Sequence, residues 1–219
     1  MRQSLAWIWF LRGYLVFFLL GIMGILLLDK GGMVLWFAQH RSEWANIFFR
    51  GLTLLGDGWI VPIVALGLLF VRFKYFVVLL VIGLFQLLGA AFFKRTVFGN
   101  TPRPFRYFDF VDPSWLVPSV ETHSNYAFPS GHTITAFGLF TFLTLMINKK
   151  WGATTCLTLA ILAGISRIYL FQHFLEDVLA GSLIGLVISA SVFYFAEKRT
   201  SFWEHPKLNS SLLKFRKSV

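Results

Sequence analysis

The residues able to do chemistry sit in two short polar runs of an otherwise apolar chain. One is Pro129-Ser130-Gly131-His132; the other is Ser166-Arg167, followed by His173 and Asp177. His173 and Asp177 are four positions apart, so on a helix the carboxylate can hold one imidazole nitrogen and leave the other free. An imidazole held in that way is a competent nucleophile, and His132 is then left for proton transfer. Lys94, Arg103 and Arg167 add cationic groups, and arginine offers paired donors that match the oxygens of a phosphate. Ser130 and Gly131 stand where an apolar helix begins, and the first N–H groups of a helix favour an anion. One carboxylate, two histidines and three cations suit a site that handles a phosphoryl group.

The elements that must position these groups lie in lipid. Of the 219 residues, 57% are hydrophobic and only 14% charged, with a mean hydropathy of +0.69, outside the range of an ordinary soluble domain. Six stretches contain no Asp, Glu, Lys or Arg: residues 13–28, 59–71, 75–93, 133–147, 151–165 and 178–196. A hydrocarbon core of about 30 Å takes roughly 20 helical residues, so several of these helices must extend into polar flanks. The runs are too long and unbroken for the alternation of a barrel strand. The expectation is an all-α polytopic membrane protein: a six-transmembrane-helix bundle forming one domain over residues 1–219. Between spans 1 and 2, Trp36, Phe37, Trp44, Ile47 and Phe48 recur at roughly helical spacing among His40, Arg41, Glu43 and Arg50, which predicts an interfacial helix. The proline-punctuated stretch 94–131 reads as a long loop without regular structure. Lone Cys156 falls mid-span as a packing residue.

With the N-terminus cytoplasmic, twelve of the 20 basic residues and two of the ten acidic ones fall inside, so the whole net charge of +10 sits on that face. The basic segment 197–219 becomes a cytoplasmic tail lying on anionic headgroups. No nucleic-acid module is present in the sequence. In this topology Lys94 and Arg103 follow span 3, Ser130 and His132 precede span 4, and residues 167–177 join spans 5 and 6. All three clusters meet on the external face.

The chain resembles the type 2 phosphatidic acid phosphatase (PAP2) superfamily, whose signature is a Lys, six residues and Arg-Pro; then Pro-Ser-Gly-His; then Ser-Arg, five residues, His, three residues and Asp. The second and third blocks match in full. In the first, Arg103-Pro104 matches, but eight residues separate Lys94 from Arg103; Lys94 and its neighbour Arg95 compete for the lysine position, and Lys94 is favoured as the continuation of the helix end. Residues 52–58, LTLLGDG, extend the likeness. The resemblance implies that His173 attacks phosphorus to form a phosphohistidine, Asp177 orients it, and His132 protonates the leaving oxygen and then activates water. Lys94, Arg103, Ser130, Gly131 and Arg167 would bind the phosphoryl oxygens, with no metal or cofactor.

The implied activity is hydrolysis of a phosphate monoester or pyrophosphate of a lipid in a bacterial-type inner membrane. Undecaprenyl pyrophosphate, phosphatidylglycerophosphate, phosphatidic acid and a lipid A phosphate are the candidate substrates. A phosphotransferase using the same site and a non-catalytic carrier of phosphorylated lipids are the competing readings; binding alone has no need of the His173–Asp177 pair. His40, His123 and His205 read as solvated, Glu176 as pointing to water, and Asp57 either as a helix cap or as a residue of the site entrance.

Overall fold

The computed structural model describes residues 4–198 and 202–215. Arg2, Arg199, Arg216 and Lys217 of the charge count lie outside them. Ten α-helices follow in order: α1 (Leu5–Leu27), α2 (Gly32–Gln39), α3 (Glu43–Thr53), α4 (Ile60–Leu68), α5 (Phe73–Phe92), α6 (Pro104–Tyr107), α7 (Gly131–Ile147), α8 (Lys150–Tyr169), α9 (Leu175–Glu197) and α10 (Leu212–Phe215), with no strand among the described residues.

By length and apolarity four helical segments can cross a membrane: Leu5–Leu27, Phe73–Val97, Lys150–Tyr169 and Leu175–Glu197. α1 starts eight residues before the expected span because the Ser4 hydroxyl caps it, accepting from Trp7 N at 3.2 Å, while Arg12 stays exposed. The segment between the first two expected spans forms two helices rather than one. The break falls after His40, where Ser42 opens a new helix by accepting from Ala45 N at 3.3 Å. α3 leaves Trp44, Ile47 and Phe48 exposed along one side. It runs into a 3-10 turn, Leu54–Gly56, and the segment Glu43–Gly56 meets α4 at a 61° bend. Gly56 lies against the backbone of His132, with only 2.6 Å to the carbonyl oxygen for a side-chain carbon, so this turn must be bare to seat there.

α7 has 17 residues and rises only about 25 Å at 1.5 Å per residue, but it is the central helix, buried along most of its length between α5, α8 and α9. Phe137 and Phe140 join the aromatic residues of α1 and the alanines of α8, and Phe142 packs with Val78, Ile82 and Phe193 of α5 and α9. α9 crosses α7 at Gly181 and Gly185, where a side-chain carbon would strike the carbonyl oxygens of Ser130 and Ile134. Small residues at such crossings bring backbones together in lipid.

α5 and α8 therefore end where α7 and α9 begin. At the opposite end Lys74 pairs with Glu197 at 2.7 Å, and the C-terminal segment docks on the α4–α5 turn: Phe73 N donates to Ser210 O, Lys74 N to Leu208 O and Leu212 N to Leu69 O. Protein contacts hold this part of the tail that was expected on headgroups. The loop expected to be irregular carries α6 and a 3-10 turn, Pro113–Trp115, and it is pinned by bonds from Arg103 N to Ser124 O and Ala127 N to Thr101 O.

Candidate active site

After α8 the chain turns sharply: Phe171 adopts φ +62°, and the N–H groups of Gln172 and His173 both donate to the Arg167 carbonyl, at 3.0 and 3.2 Å. A bulky residue in the left-handed region is uncommon and persists only when its surroundings hold it. Phe171 is buried among Phe108 and Trp115. The turn sets His173, 1% exposed, beside Arg167. Its Nδ1–H donates to Asp177 Oδ2 at 3.2 Å, and the same oxygen accepts from Phe174 N at 2.9 Å. An acidic residue at the third helical position reaching back to the helix start is a capping interaction. Here it also fixes the imidazole tautomer and leaves Nε2 without a proton. Burial, reinforced by the charges of Arg103, Arg167, Lys94 and His132, pushes the His173 pKa well below its ordinary value. The imidazole is neutral at neutral pH.

The three cations converge from three elements. Arg167 belongs to the last turn of α8 and is almost fully buried; one NH group donates to Thr53 Oγ1 at 2.7 Å, and its Nε has no partner. Arg103, in the loop, donates from Nε to Asn125 O at 2.9 Å and from NH1 to Gln172 Oε1 at 3.0 Å. Lys94 leaves the end of α5 in a five-residue π turn, Phe93–Val97, closed by Phe98 N donating to Phe93 O at 2.9 Å, and Gly99 follows at φ +56°. A π turn holds one residue more than an α turn. The widened turn and Gly99 take up the longer spacing to Arg103. Lys94 Nζ donates to Tyr126 O at 3.1 Å and lies 3.9 Å from where a side-chain carbon on Gly131 would sit, whereas Arg95 is exposed. None of the three cations forms an ion pair among the described residues.

Ser130 is fully buried and caps α7: its hydroxyl accepts from Thr133 N at 3.4 Å and also from Thr133 Oγ1 at 2.9 Å, and its N–H donates to the Asp177 carbonyl at 3.0 Å. Gly131 and His132 open the helix, and first-turn N–H groups have no partner within it. His132 is half-buried and borders two cavities. An outer one of about 700 Å³ is lined by Arg50, Thr53, Asp57, Glu121, His123, Arg167 and Gln172. A second, of about 370 Å³, runs between α4, α5 and α7.

Sequence reasoning missed Thr53, Asn125 and Gln172, which hold the guanidinium groups. Thr53 lies in the LTLLGDG segment, so that likeness was its signal; Gln172, next to His173, carried none. Asp57 lines the outer cavity; its carboxylate accepts from Trp59 N at 3.4 Å, ahead of α4, whose start has no side-chain cap. Glu176 turns from the site to pair with Lys30 at 3.1 Å.

A lipid-exposed helical bundle with a buried histidine–carboxylate pair ringed by cations defines a membrane protein built to handle an anion. The model of the PAP2 superfamily matches residues 74–201, more than half of the chain, and the chain belongs to that superfamily. Among curated relatives it is 31% identical over 116 residues to phosphatidylglycerophosphatase B of Haemophilus influenzae, covering 49% of this chain and 48% of that one. It is 33% identical over 132 residues to undecaprenyl-diphosphatase of Sulfolobus acidocaldarius, covering 60% of each. The chain thus spans about half to three-fifths of the length of these two. A solved structure, the first transmembrane PAP2-type phosphatidylglycerolphosphate phosphatase from Bacillus subtilis, superposes with a TM-score of 0.62 at 27% identity over 87% of this chain and 98% of that one.

Proposed function

We propose that this chain is a lipid phosphatase that hydrolyses a phosphate monoester or pyrophosphate of a membrane lipid through a phosphohistidine. The observation that carries this reading is the pair of buried guanidinium groups, Arg103 and Arg167, joined by half-buried Lys94, none of them in an ion pair, around His173, whose Nδ1 is bound to Asp177. Buried charge without a counter-ion is costly, and a dianionic phosphoryl group supplies the missing one.

In the first step the Nε2 lone pair of His173 forms the N–P bond while the P–O bond to the lipid breaks. Protonated His132 gives its proton to the departing oxygen. A water, deprotonated by His132, then attacks phosphorus, the N–P bond breaks and phosphate leaves. Asp177 holds the imidazole and stabilises the positive charge it develops. Lys94, Arg103 and Arg167, with the Gly131 N–H, stabilise the charge on the equatorial oxygens; each such donor is worth about 10²- to 10³-fold in turnover. Ser130 acts through the helix cap that aims those N–H groups.

The same reading makes residues 1–219 one domain of six spans, with α7 as the fourth and α4 completing the second, and α3 at the interface on its exposed Trp44, Ile47 and Phe48. It sits in an inner membrane with both termini cytoplasmic and the site external. The basic surplus supports that orientation. Substrate arrives sideways from the outer leaflet, its tails remaining in lipid.

The test is phosphate release by purified protein in detergent from phosphatidylglycerophosphate, phosphatidic acid, undecaprenyl pyrophosphate and a lipid A phosphate. Turnover that vanishes in His173→Ala and is blocked by vanadate, a mimic of five-coordinate phosphorus, is the expected result. Binding of these lipids without release would make the chain a carrier, and transfer to an alcohol in preference to water would make it a phosphotransferase.

A further inference from the structure

Two kinds of partner hold the cations of this chain. Away from the site they are carboxylates: Lys74 meets Glu197 at 2.7 Å and Lys30 meets Glu176 at 3.1 Å. At the site they are neutral oxygens. Arg103 donates to the Gln172 amide oxygen at 3.0 Å and to the Asn125 carbonyl at 2.9 Å, and Arg167 donates to the Thr53 hydroxyl at 2.7 Å. Carboxylates stand close by and are kept off. Asp177 is bound to His173 and to Phe174 N, Asp57 accepts from Trp59 N, and Glu121 lines the outer cavity as an exposed residue. Among the described residues no acid comes within ion-pair distance of either arginine.

Gln172 is the hub of this arrangement. It is 1% exposed, and its backbone N–H donates to the Arg167 carbonyl at 3.0 Å while its side chain holds Arg103, so one residue ties both arginines. Its amide can lie only one way round. Oε1 faces Arg103, which has no acceptor, and Nε2 donates to the carbonyls of Glu121 and Leu170 at 2.9 and 3.4 Å, which have no donor. A carboxylate here would bind Arg103 more strongly and offset the desolvation of the guanidinium. It would also quench the charge that a ligand needs. An arriving phosphoryl group would have to displace it, or lie beside a second anion in a buried space where like charges repel strongly. A neutral acceptor fixes the direction of the guanidinium and leaves its charge uncompensated until an anion enters.

We propose that Gln172 and Thr53 are positioning residues that aim Arg103 and Arg167 through neutral acceptors, and that this neutrality keeps both guanidinium charges available to the transferred phosphoryl group. This rests on the lipid phosphatase reading above. It concerns the charge of the site, whichever lipid carries the phosphate.

The experiment compares Gln172→Glu with Gln172→Met in the purified protein. Both changes remove the Nε2 donor, so they differ in whether a carboxylate faces Arg103. Vanadate affinity is read from the vanadate-dependent rise of Tm in detergent, beside kcat/KM on a lipid phosphate. Gln172→Met, which leaves Arg103 without its aim, should weaken vanadate binding about tenfold, the scale of one lost hydrogen bond to a charged group. Gln172→Glu should weaken it at least about tenfold further, with kcat/KM falling in the same order. A clamp with only a structural role gives the reverse order, because a carboxylate holds a guanidinium better than a thioether does. Thr53→Asp against Thr53→Val, at a half-buried position on the wall of the outer cavity, repeats the comparison at Arg167 and decides the matter if the Gln172 variants do not fold. Vanadate affinity in a folded Gln172→Glu or Thr53→Asp variant that equals or exceeds that of its uncharged counterpart overturns the neutral clamp and leaves the phosphatase intact. A wild-type protein that binds vanadate but releases phosphate from no lipid overturns the phosphatase reading instead, and one that does neither overturns both.

Discussion

His173 is held neutral by burial and by its cationic neighbours, and this has a consequence in pH. The free imidazole is the reacting form, so the acid limb of kcat/KM assigned to it should lie below pH 6.5, the group's ordinary value, and not at it. Stability moves in the same direction. Below pH 6.5 the unfolded chain takes up the proton that the folded one refuses, so this residue lowers stability as pH falls towards its folded pKa. A pH–rate profile with a His173-dependent limb centred at 6.5 or above would contradict the buried, neutral nucleophile. His132→Ala should retain lipid binding and lose about 10²- to 10⁴-fold in turnover, the usual contribution of a positioned proton donor. The two basic residues after α5 separate in the same assay. Lys94 turns inward to Tyr126 and Gly131 while Arg95 is exposed, so Lys94→Ala should cost about 10²- to 10³-fold in turnover, the scale of one lost transition-state donor, and Arg95→Ala little. Impairment by the Arg95 change alone would reverse the assignment.

At the scale of elements the critical joint is α9 on α7. Asp177 and Ser130 are tied across it by a backbone hydrogen bond, and the close approach depends on Gly181 and Gly185. A methyl group at Gly185 would meet backbone atoms of Ile134 and Gly138, which cannot swing aside. Gly185→Ala should therefore cost about 1–3 kcal/mol, as overpacking does, and should lower activity further by moving His173 away from the start of α7. Gly67 in α4 has open space around it, and Gly67→Ala should leave Tm unchanged or slightly raised through helix propensity. Thermal unfolding in detergent, read beside activity, checks both. Equal tolerance at the two positions would show that the crossing is looser than described.

For the whole molecule the prediction is one of sidedness. All the candidate site groups lie at one end of the bundle; the Lys74–Glu197 pair and the docked C-terminal segment lie at the other. In a Cys156→Ala background, cysteines at exposed Ser114 and Lys207 should react with an impermeant reagent from opposite sides of an intact membrane, Ser114→Cys from outside. Labelling of Lys207→Cys from outside would invert the orientation. A strong preference for soluble phosphomonoesters over lipid phosphates would argue against lateral access.

The chemistry of this chain was legible in its sequence because it depends on residue types at short spacing. His173 and Asp177 share a helical turn, Ser130-Gly131-His132 open an apolar helix, and the charge-free runs announce lipid as the solvent. These are local relations, and periodicity reports them. The resemblance to the PAP2 superfamily rested on the same short blocks. What depended on contacts between distant segments was decided only in three dimensions. The longer spacing between Lys94 and Arg103 is taken up in a π turn and at Gly99. Ser130 spends its hydroxyl on a cap, and Thr53 and Gln172 reach the arginines from elements far along the chain. The bend between α3 and α4 follows from Gly56 seating on His132. No window of sequence holds both halves of such contacts, so the sequence named the reacting groups and the tertiary packing determined which of them face the same space.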